Sequence, residues 1–287
     1  MGALKALFLA SAAVVGLASF AHAADLLPPA PQMEPPPMAA PEFSGWYLRG
    51  DVGMAVASGN AGVGISPNPL VGLPADAYNS FYNASLSASA LFDVGVGYQI
   101  NNWLRFDVTG EYRGGGQFQT LEQVGVPSLA QQYGDFYRGN VSSVIGLVNG
   151  YVDIGTWYGV SPFIGAGVGF ANVETTGLQD SGSKYTVANG AVGGASYFAS
   201  GASTTNFAWA AHAGVAYKVT NNFTIELAYR YLDMGTAGHG YGQSFDGSNA
   251  GPSSFKFRDL TSQDLRIGVR WTCCDLPPPP PPLIRKG

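Results

Sequence analysis

Between residues 207 and 234 the chain alternates apolar and polar positions, residue by residue. Phe207, Trp209, Ala211, Ala213, Val215, Tyr217 and Val219 occupy one parity, and Phe223, Ile225, Leu227, Tyr229 and Tyr231 resume it after Thr220-Asn221-Asn222. The other parity carries His212, Gly214, Lys218, Thr224, Glu226 and Arg230. Successive strand side chains point to opposite faces, so this pattern predicts two β-strands joined by a tight turn rather than a helix. A half-buried soluble sheet and a membrane barrel both produce such alternation. They differ in sense: in a soluble sheet the apolar face meets a core, and in a membrane barrel it meets lipid while the polar face lines a lumen.

The same pattern recurs along the chain. In residues 45–57, Trp46, Leu48, Val52, Met54 and Val56 alternate with Tyr47, Arg49 and Asp51. In residues 90–113, Phe92, Val94, Val96, Tyr98, Ile100, Leu104, Phe106, Val108 and Tyr112 oppose Asp93, Gln99, Arg105, Asp107 and Glu111, with a turn at 101–103. Laying Tyr98 on Tyr217 without a gap places Leu104 on Phe223, Asp107 on Glu226 and Tyr112 on Tyr231, so the two hairpins are expected in equivalent places. Strands are also expected at 141–154, with Asn149, Tyr151 and Asp153 on the polar parity, and at 160–171. The last runs over 263–271, where Leu265, Ile267, Val269 and Trp271 alternate with Asp264, Arg266 and Arg270.

The connections decide between the two senses. Residues 58–89, 114–137, 172–206 and 235–262 are long, rich in Gly, Ser and Asn, and expected to be irregular loops, whereas 101–103, 155–159 and 220–222 are short. Even strand number with alternating long and short connections predicts an all-β, eight-stranded antiparallel up-and-down transmembrane β-barrel with long extracellular loops and both termini periplasmic. Strands of about 9 to 11 residues cross a bilayer when tilted. The barrel must close, because an open edge in lipid leaves backbone groups unpaired. Trp46, Trp103, Trp157, Phe223 and Trp271 fall at the short-turn ends of strands, as an interfacial aromatic girdle would.

Composition narrows the picture further. Only 11% of the 287 residues are charged and 40 are glycine, against about a quarter charged in an average soluble protein. A net charge of -5 excludes nucleic acid as a partner. Residues 1–23 are expected to be an export signal, with Lys5, an apolar run over 6–20 and Ala21-His22-Ala23 before the cleavage point. Residues 24–44 form a proline-rich periplasmic tether, residues 45–271 the barrel, and residues 272–287 a proline-rich tail with six consecutive prolines.

The inward parity gathers the candidate site: Arg49, Asp51, Asp93, Arg105, Asp107, Glu111, Asp153, His212, Lys218, Glu226, Arg230, Arg266 and Arg270. An eight-stranded lumen holds little beyond side chains, so these residues are expected to pair into a structural salt-bridge plug. Symmetric turns place Gly97 opposite Asp107, Ala216 opposite Glu226 and His212 opposite Arg230, with Glu226 level with Arg270. His212 and His239 lie in no triad or metal arrangement, and no enzyme activity, cofactor or metal is expected. Gly165, Gly167 and Gly169 share the inward face of one strand and leave room for bulky neighbours. Cys273 and Cys274 are adjacent beyond the last strand, and either intermolecular disulfides or free thiols fit them.

The exported start ADLLPP at residue 24, PFIGAGVGFA at 162, IELAYRYLDMG at 225 and the closing LRIGVRW at 265 occur here in an order that resembles the small outer-membrane β-barrel proteins of α-proteobacteria. That family includes major surface antigens of brucellae. The resemblance implies an envelope-structural or surface-interaction protein rather than an enzyme, although some members are described as porin-like or haem-binding. It also implies contact with outer-membrane lipid and lipopolysaccharide, with the barrel-assembly machinery and, through a mature amino terminus at Ala24-Asp25, with peptidoglycan. The tail after Trp271 departs from the family, so the signal read during assembly must be internal.

Overall fold

A computed structural model of the chain describes residues 45–57, 62–66, 70–186, 190–238, 242–245 and 254–273. The expected signal segment, the tether with Ala24, the tail from Cys274 onward and His239 lie outside the described residues.

Eight strands form a closed ring. They are β1 (Gly45–Ala57), β4 (Ser89–Gln99), β5 (Leu104–Val126), β6 (Gln131–Asp153), β7 (Val160–Thr186), β9 (Ala202–Lys218), β10 (Phe223–Asp233) and β14 (Thr261–Thr272), named in a chain-order numbering of the fourteen strands among the described residues. Around the ring each pairs antiparallel with the next, and β14 returns to β1 with Tyr47 opposite Thr272 and Ala57 opposite Ser262. Closure leaves this part of the sheet no edge, which hydrocarbon requires. The outer surface carries the apolar parity: Trp46, Val94, Val108, Val148, Ile164, Phe207 and Leu265 are each more than half exposed. Such a belt would be untenable in water and is at home in lipid.

The five girdle residues fall together at the short-turn end. Trp46 meets Tyr98 edge-on at 5.3 Å, Trp271 pairs with both Leu48 and Phe223, and Trp103 and Trp157 lie in the turns before β5 and β7. A second aromatic row stands nearer the other end. There Phe92 pairs with Tyr112, and Phe170 with Phe207.

The long connections depart from the expected irregular loops. Residues 114–137 are mostly strand: β5 and β6 run on past the barrel and are joined by one turn of 3-10 helix at Pro127–Leu129. β7 likewise continues to Thr186, and β8 (Gly190–Ala199) pairs with its extension before β9 begins. β3 (Tyr78–Leu86) lies along β5 above β4. Together with β12 (Gly242–Ser244) these extensions build an open wall in the order β3-β5-β6-β7-β8-β12. A smaller sheet of β2 (Gly62–Ser66), β13 (Ser254–Arg258) and β11 (Ala237–Gly238) forms at the same end.

The sequence hides these strands for a physical reason. At the Gly114–Gly116 bulge the buried parity of β5 switches from odd (Glu111, Arg113) to even (Phe118, Thr120, Glu122, Val124). An extra residue inverts the faces beyond it. The outer face of the wall is also mostly Gln, Ser and Tyr rather than Val and Leu, so it lacks the apolar alternation of the barrel. β7 makes the same switch at Gly177, which has φ +61°, and β3 to β4 and β8 to β9 break at the same level.

The interior divides into two layers. Toward the wall, Phe118, Ile145, Leu147, Val173, Leu178, Leu232, Met234 and Leu260 form an apolar cluster inside the mouth of the barrel. Phe257 of β13 closes it from the small sheet, its ring 4.6 Å from that of Phe118 and edge-on. Below that layer, toward the short turns, the lumen is charged.

Candidate functional site

The alternation that turns apolar side chains to lipid turns their neighbours into the lumen, and the ring brings inward residues from seven strands together. All of Arg49, Asp51, Asp93, Arg105, Asp107, Glu111, Asp153, His212, Glu226, Arg230, Arg266 and Arg270 are buried. The expected registers hold for Gly97 with Asp107, Ala216 with Glu226 and His212 with Arg230. Glu226 is not level with Arg270. It faces Gly268, while Arg270 faces Thr224 one inward step away, and the two side chains still approach to 3.5 Å. Lys218 departs from expectation: it lies on the inward parity but at the last position of β9, opposite Thr224 and beside the turn, and its side chain is exposed at the barrel end. A long ammonium stem at a rim reaches water at little cost.

The charges fall into two tiers. In the tier nearer the apolar cluster, Arg113 Nε is 2.7 Å from Glu111 and its Nη2 2.6 Å from Asp264. Arg230 spans the same two carboxylates, with Nε donating to Asp264 at 2.7 Å and Nη2 to Glu111 at 2.6 Å. Ser262 donates to the other oxygen of Asp264. Two arginines and two carboxylates thus form a closed four-membered square. Each guanidinium bridges the two carboxylates with charge-assisted hydrogen bonds, which are shorter and stronger than neutral ones.

The tier nearer the short turns is wider. Arg49 grips Asp51 with two donors at 3.0 Å each, reaches Asp107 at 2.9 Å and donates to the Tyr151 hydroxyl at 3.0 Å. Glu226 sits among Arg49, Arg105 and Arg270 at 3.3 to 3.5 Å. Arg105, fully buried, also approaches Asp153 at 3.4 Å and lies over the rings of Tyr151 and Phe163, 4.3 and 4.7 Å from their centroids. Arg266 holds Asp93 at 2.8 Å and Asp51 at 3.0 Å.

Across the two tiers six arginines meet seven carboxylates, and arginine supplies the cation of every one of these pairs. A planar five-donor fork can satisfy several carboxylates at once and stays charged when desolvated. Neutral groups join the network. Tyr47 donates to Asp107 at 3.1 Å, Asn149 Nδ2 donates to the other Asp107 oxygen at 2.8 Å, and His212 Nε2 lies 3.2 Å from Asn149 Oδ1. Since that oxygen can only accept, Nε2 of His212 carries the proton.

The inward glycines make the room that these groups fill. A Cβ on Gly167 would strike the Asn149 amide, one on Gly165 the Tyr151 ring, and one on Gly268 the Asp51 carboxylate. Arg113 and Asp264 are the principal members absent from the expected set. Both lie on the inward parity of their strands, Arg113 at its last position before the β5 bulge, and that parity was the signal available to find them. Cys273 follows β14, with its N–H bonded to the Trp46 carbonyl at 2.9 Å.

The wall carries a separate acidic group. Glu122 and Asp135 face each other across β5 and β6, and Tyr137 faces Asp180 across β6 and β7. Glu122 accepts from Asn79 at 2.7 Å and from Tyr137 at 2.9 Å. Burial, together with the nearby Asp135 and Glu122 charges, pushes the Asp180 carboxyl up to about 7, against a weaker pull from the Tyr137 hydroxyl. Burial also raises Glu122 and Asp135 above the usual carboxylate range.

Comparison with known proteins agrees with this architecture. An uncharacterised protein of Brucella suis is 30% identical over 281 residues, covering 88% of this chain and 93% of that one. Outer membrane protein PagN of Salmonella typhimurium is 37% identical over 89 residues, 31% of this chain and 33% of its own. Among solved structures, Neisserial surface protein A aligns with a TM-score of 0.43 at 17% identity, over 80% of this chain and 99% of that one. The family model described as an outer membrane protein beta-barrel domain matches residues 10–272, and the chain belongs to that family, whose members reside in the Gram-negative outer membrane.

Proposed function

We propose that the protein is a non-enzymatic component of the outer membrane with an envelope-structural and surface-interaction role. Its lumen is closed by a charged plug, its termini are periplasmic and its wall stands outside the cell. The buried square of Arg113, Arg230, Glu111 and Asp264 carries this reading, because it spans the lumen with short ion pairs and the apolar cluster seals the space above it. Conduction would require ions to displace pairs 2.6 to 2.7 Å long in a desolvated site. The tall wall supports a surface role, since strands that leave the membrane expose large polar faces suited to recognition. A candidate adhesin of Rickettsia typhi, 27% identical over 194 residues, is a relative in keeping with it.

The rival function is a channel for small solutes or haem. Planar-bilayer recording of the purified, folded protein tests the two: a silent bilayer is expected, and reproducible single-channel steps would overturn the plug. On the periplasmic side, we place the mature amino terminus at Ala24, joined to peptidoglycan, with the barrel delivered by the assembly machinery and bathed by lipid and lipopolysaccharide. Mass spectrometry of peptidoglycan digests should recover a cross-linked peptide beginning at Ala24, and its absence from well-covered digests removes the tether.

A further inference from the structure

At the tip of the wall the strands β3, β5, β6 and β7 bring four residues into one cross-strand row. Tyr78 faces Gly125, Gly125 faces Gln132, and Gln132 faces Tyr185. Directly opposed positions share a face of the sheet, so the row presents ring, backbone, amide and ring side by side. The Tyr78 ring lies flat over Gly125, where a Cβ would collide with it. The two rings flank Gln132 in a cleft of about 210 Å³ that also includes Val126, Pro127 and Gln131. Strands are spaced by about 4.8 Å, so the Tyr78 ring over β5 and Tyr185 on β7 stand roughly 10 Å apart with Gln132 between them.

Three features give the cleft a ligand chemistry. Both tyrosines are exposed, at 41% and 48%, so their rings are open to a ligand. The Gln132 amide is exposed and engaged by no other described residue, and it offers two donors and an acceptor, the complement of vicinal hydroxyls. No lining residue is charged, so anionic and cationic ligands have no counter-ion there.

The site is also held in shape. Asp76 accepts from Ser128 N at 2.6 Å and Oγ at 2.9 Å, tying the segment before β3 to the β5–β6 turn, and these bonds lower the Asp76 carboxyl below its usual range. Ala130 closes the turn in the left-handed region at φ 51°, its N–H bonded to Pro127 at 3.0 Å. A cleft built before its ligand arrives spends less binding energy on ordering.

We propose that this cleft is a binding site for a neutral saccharide, with the pyranose face stacked on Tyr185 or Tyr78 and its hydroxyls bonded to Gln132. The proposal rests on the surface-interaction reading only in requiring that the wall lie outside the cell. The test uses the full chain folded in detergent against an immobilised panel of neutral hexose and N-acetylhexosamine oligosaccharides with their sulfated and sialylated counterparts. At least one neutral glycan should bind. Tyr185→Ala and Gln132→Ala should each weaken it about tenfold, the loss expected for a central anchor, while Tyr185→Phe retains it. Each variant is first checked for heat-modifiable electrophoretic mobility, so that a misfolded barrel is not read as a lost site. Failure of every neutral glycan, binding restricted to sulfated or sialylated glycans, or binding indifferent to Tyr185→Ala overturns the proposal. A parallel arm places Gln132→Cys in a Cys273→Ser, Cys274→Ser background and labels intact cells with an impermeant maleimide. Labelling supports the outward wall; saccharide binding without labelling leaves the cleft standing and removes the surface role.

Discussion

The two halves of the lumen solve the same problem with opposite chemistry. Toward the short turns the space is filled by arginines and carboxylates, and toward the wall by Leu, Ile, Val, Met and Phe. Both halves are close-packed, yet they hold the fold in different ways. Apolar packing is forgiving, because a truncated side chain leaves a cavity that neighbours partly fill. A buried ion-pair network is not, because removing one partner strands the other charge away from water. The charged half therefore penalises any rearrangement that breaks a pair, while the apolar half fills the mouth. The difference follows position: the charges lie within the bilayer span, where the wall of the ring is fixed by closure, and the apolar cluster lies where the barrel opens and would otherwise flood.

This contrast predicts an order of sensitivities. Arg230→Met should produce the largest effect. It leaves Glu111 and Asp264 to Arg113 alone, and a loss of about 3 to 5 kcal/mol is expected in urea unfolding of the barrel in lipid. Adding Glu111→Gln, which leaves Arg113 paired with Asp264 alone, should restore much of that loss. If the double variant is no better than the single one, the stranded-charge account is wrong and Arg230 acts through packing.

Leu232→Ala, one inward step further along the same strand, should cost about 2 to 5 kcal/mol with no dependence on pH or salt. A salt-dependent loss there would blur the distinction between the halves. Phe257→Ala reaches the apolar cluster from the small sheet rather than from the ring. It should accelerate amide hydrogen exchange in β11 and β13 while leaving barrel unfolding nearly unchanged. A matching drop in global stability would make the small sheet part of the cooperative barrel.

The smallest effect is expected in the wall and depends on pH. The Asp180 carboxyl titrates near 7 in the folded wall, above its unfolded value of about 4. Between those values the folded state binds more protons than the unfolded one. The wall is therefore at full stability below the unfolded value, weakens as pH rises through the folded value and is flat above it. Hydrogen-exchange protection in β8 and the β7 extension, taken relative to the intrinsic amide rate at each pH, should fall from pH 4 to 8 in the parent protein and vary much less in Asp180→Asn. Equal pH dependence in both would assign the effect to Glu122 or Asp135.

Much of the barrel is legible in the alternation itself. The girdle tryptophans, the hairpin turns and twelve of the thirteen expected inward residues lie where period-two alternation puts them. Lys218 shows the limit, since parity gives a direction but not a depth, and the last inward position of a strand opens to water. Glu226 and Arg270 show another, because the stagger between neighbouring strands is set by barrel closure and not by either strand alone. Arg113 is a third, hidden where the pattern is about to invert.

What the sequence determined by itself was therefore local and periodic: which residues face lipid, which face inward, and where chain reversal is cheap. These follow from side-chain geometry within one strand. The tertiary structure alone decided the rest. It converted apparent loops into a wall, because strands whose parity is broken by the bulges at Gly114–Gly116 and Gly177 are recognised only by the neighbours they pair with. It chose the ion-pair partners, because residues as far apart in sequence as Arg230 and Glu111 meet only when the ring closes. It also built the row from Tyr78 to Tyr185, whose members share nothing in sequence except the height at which four strands end.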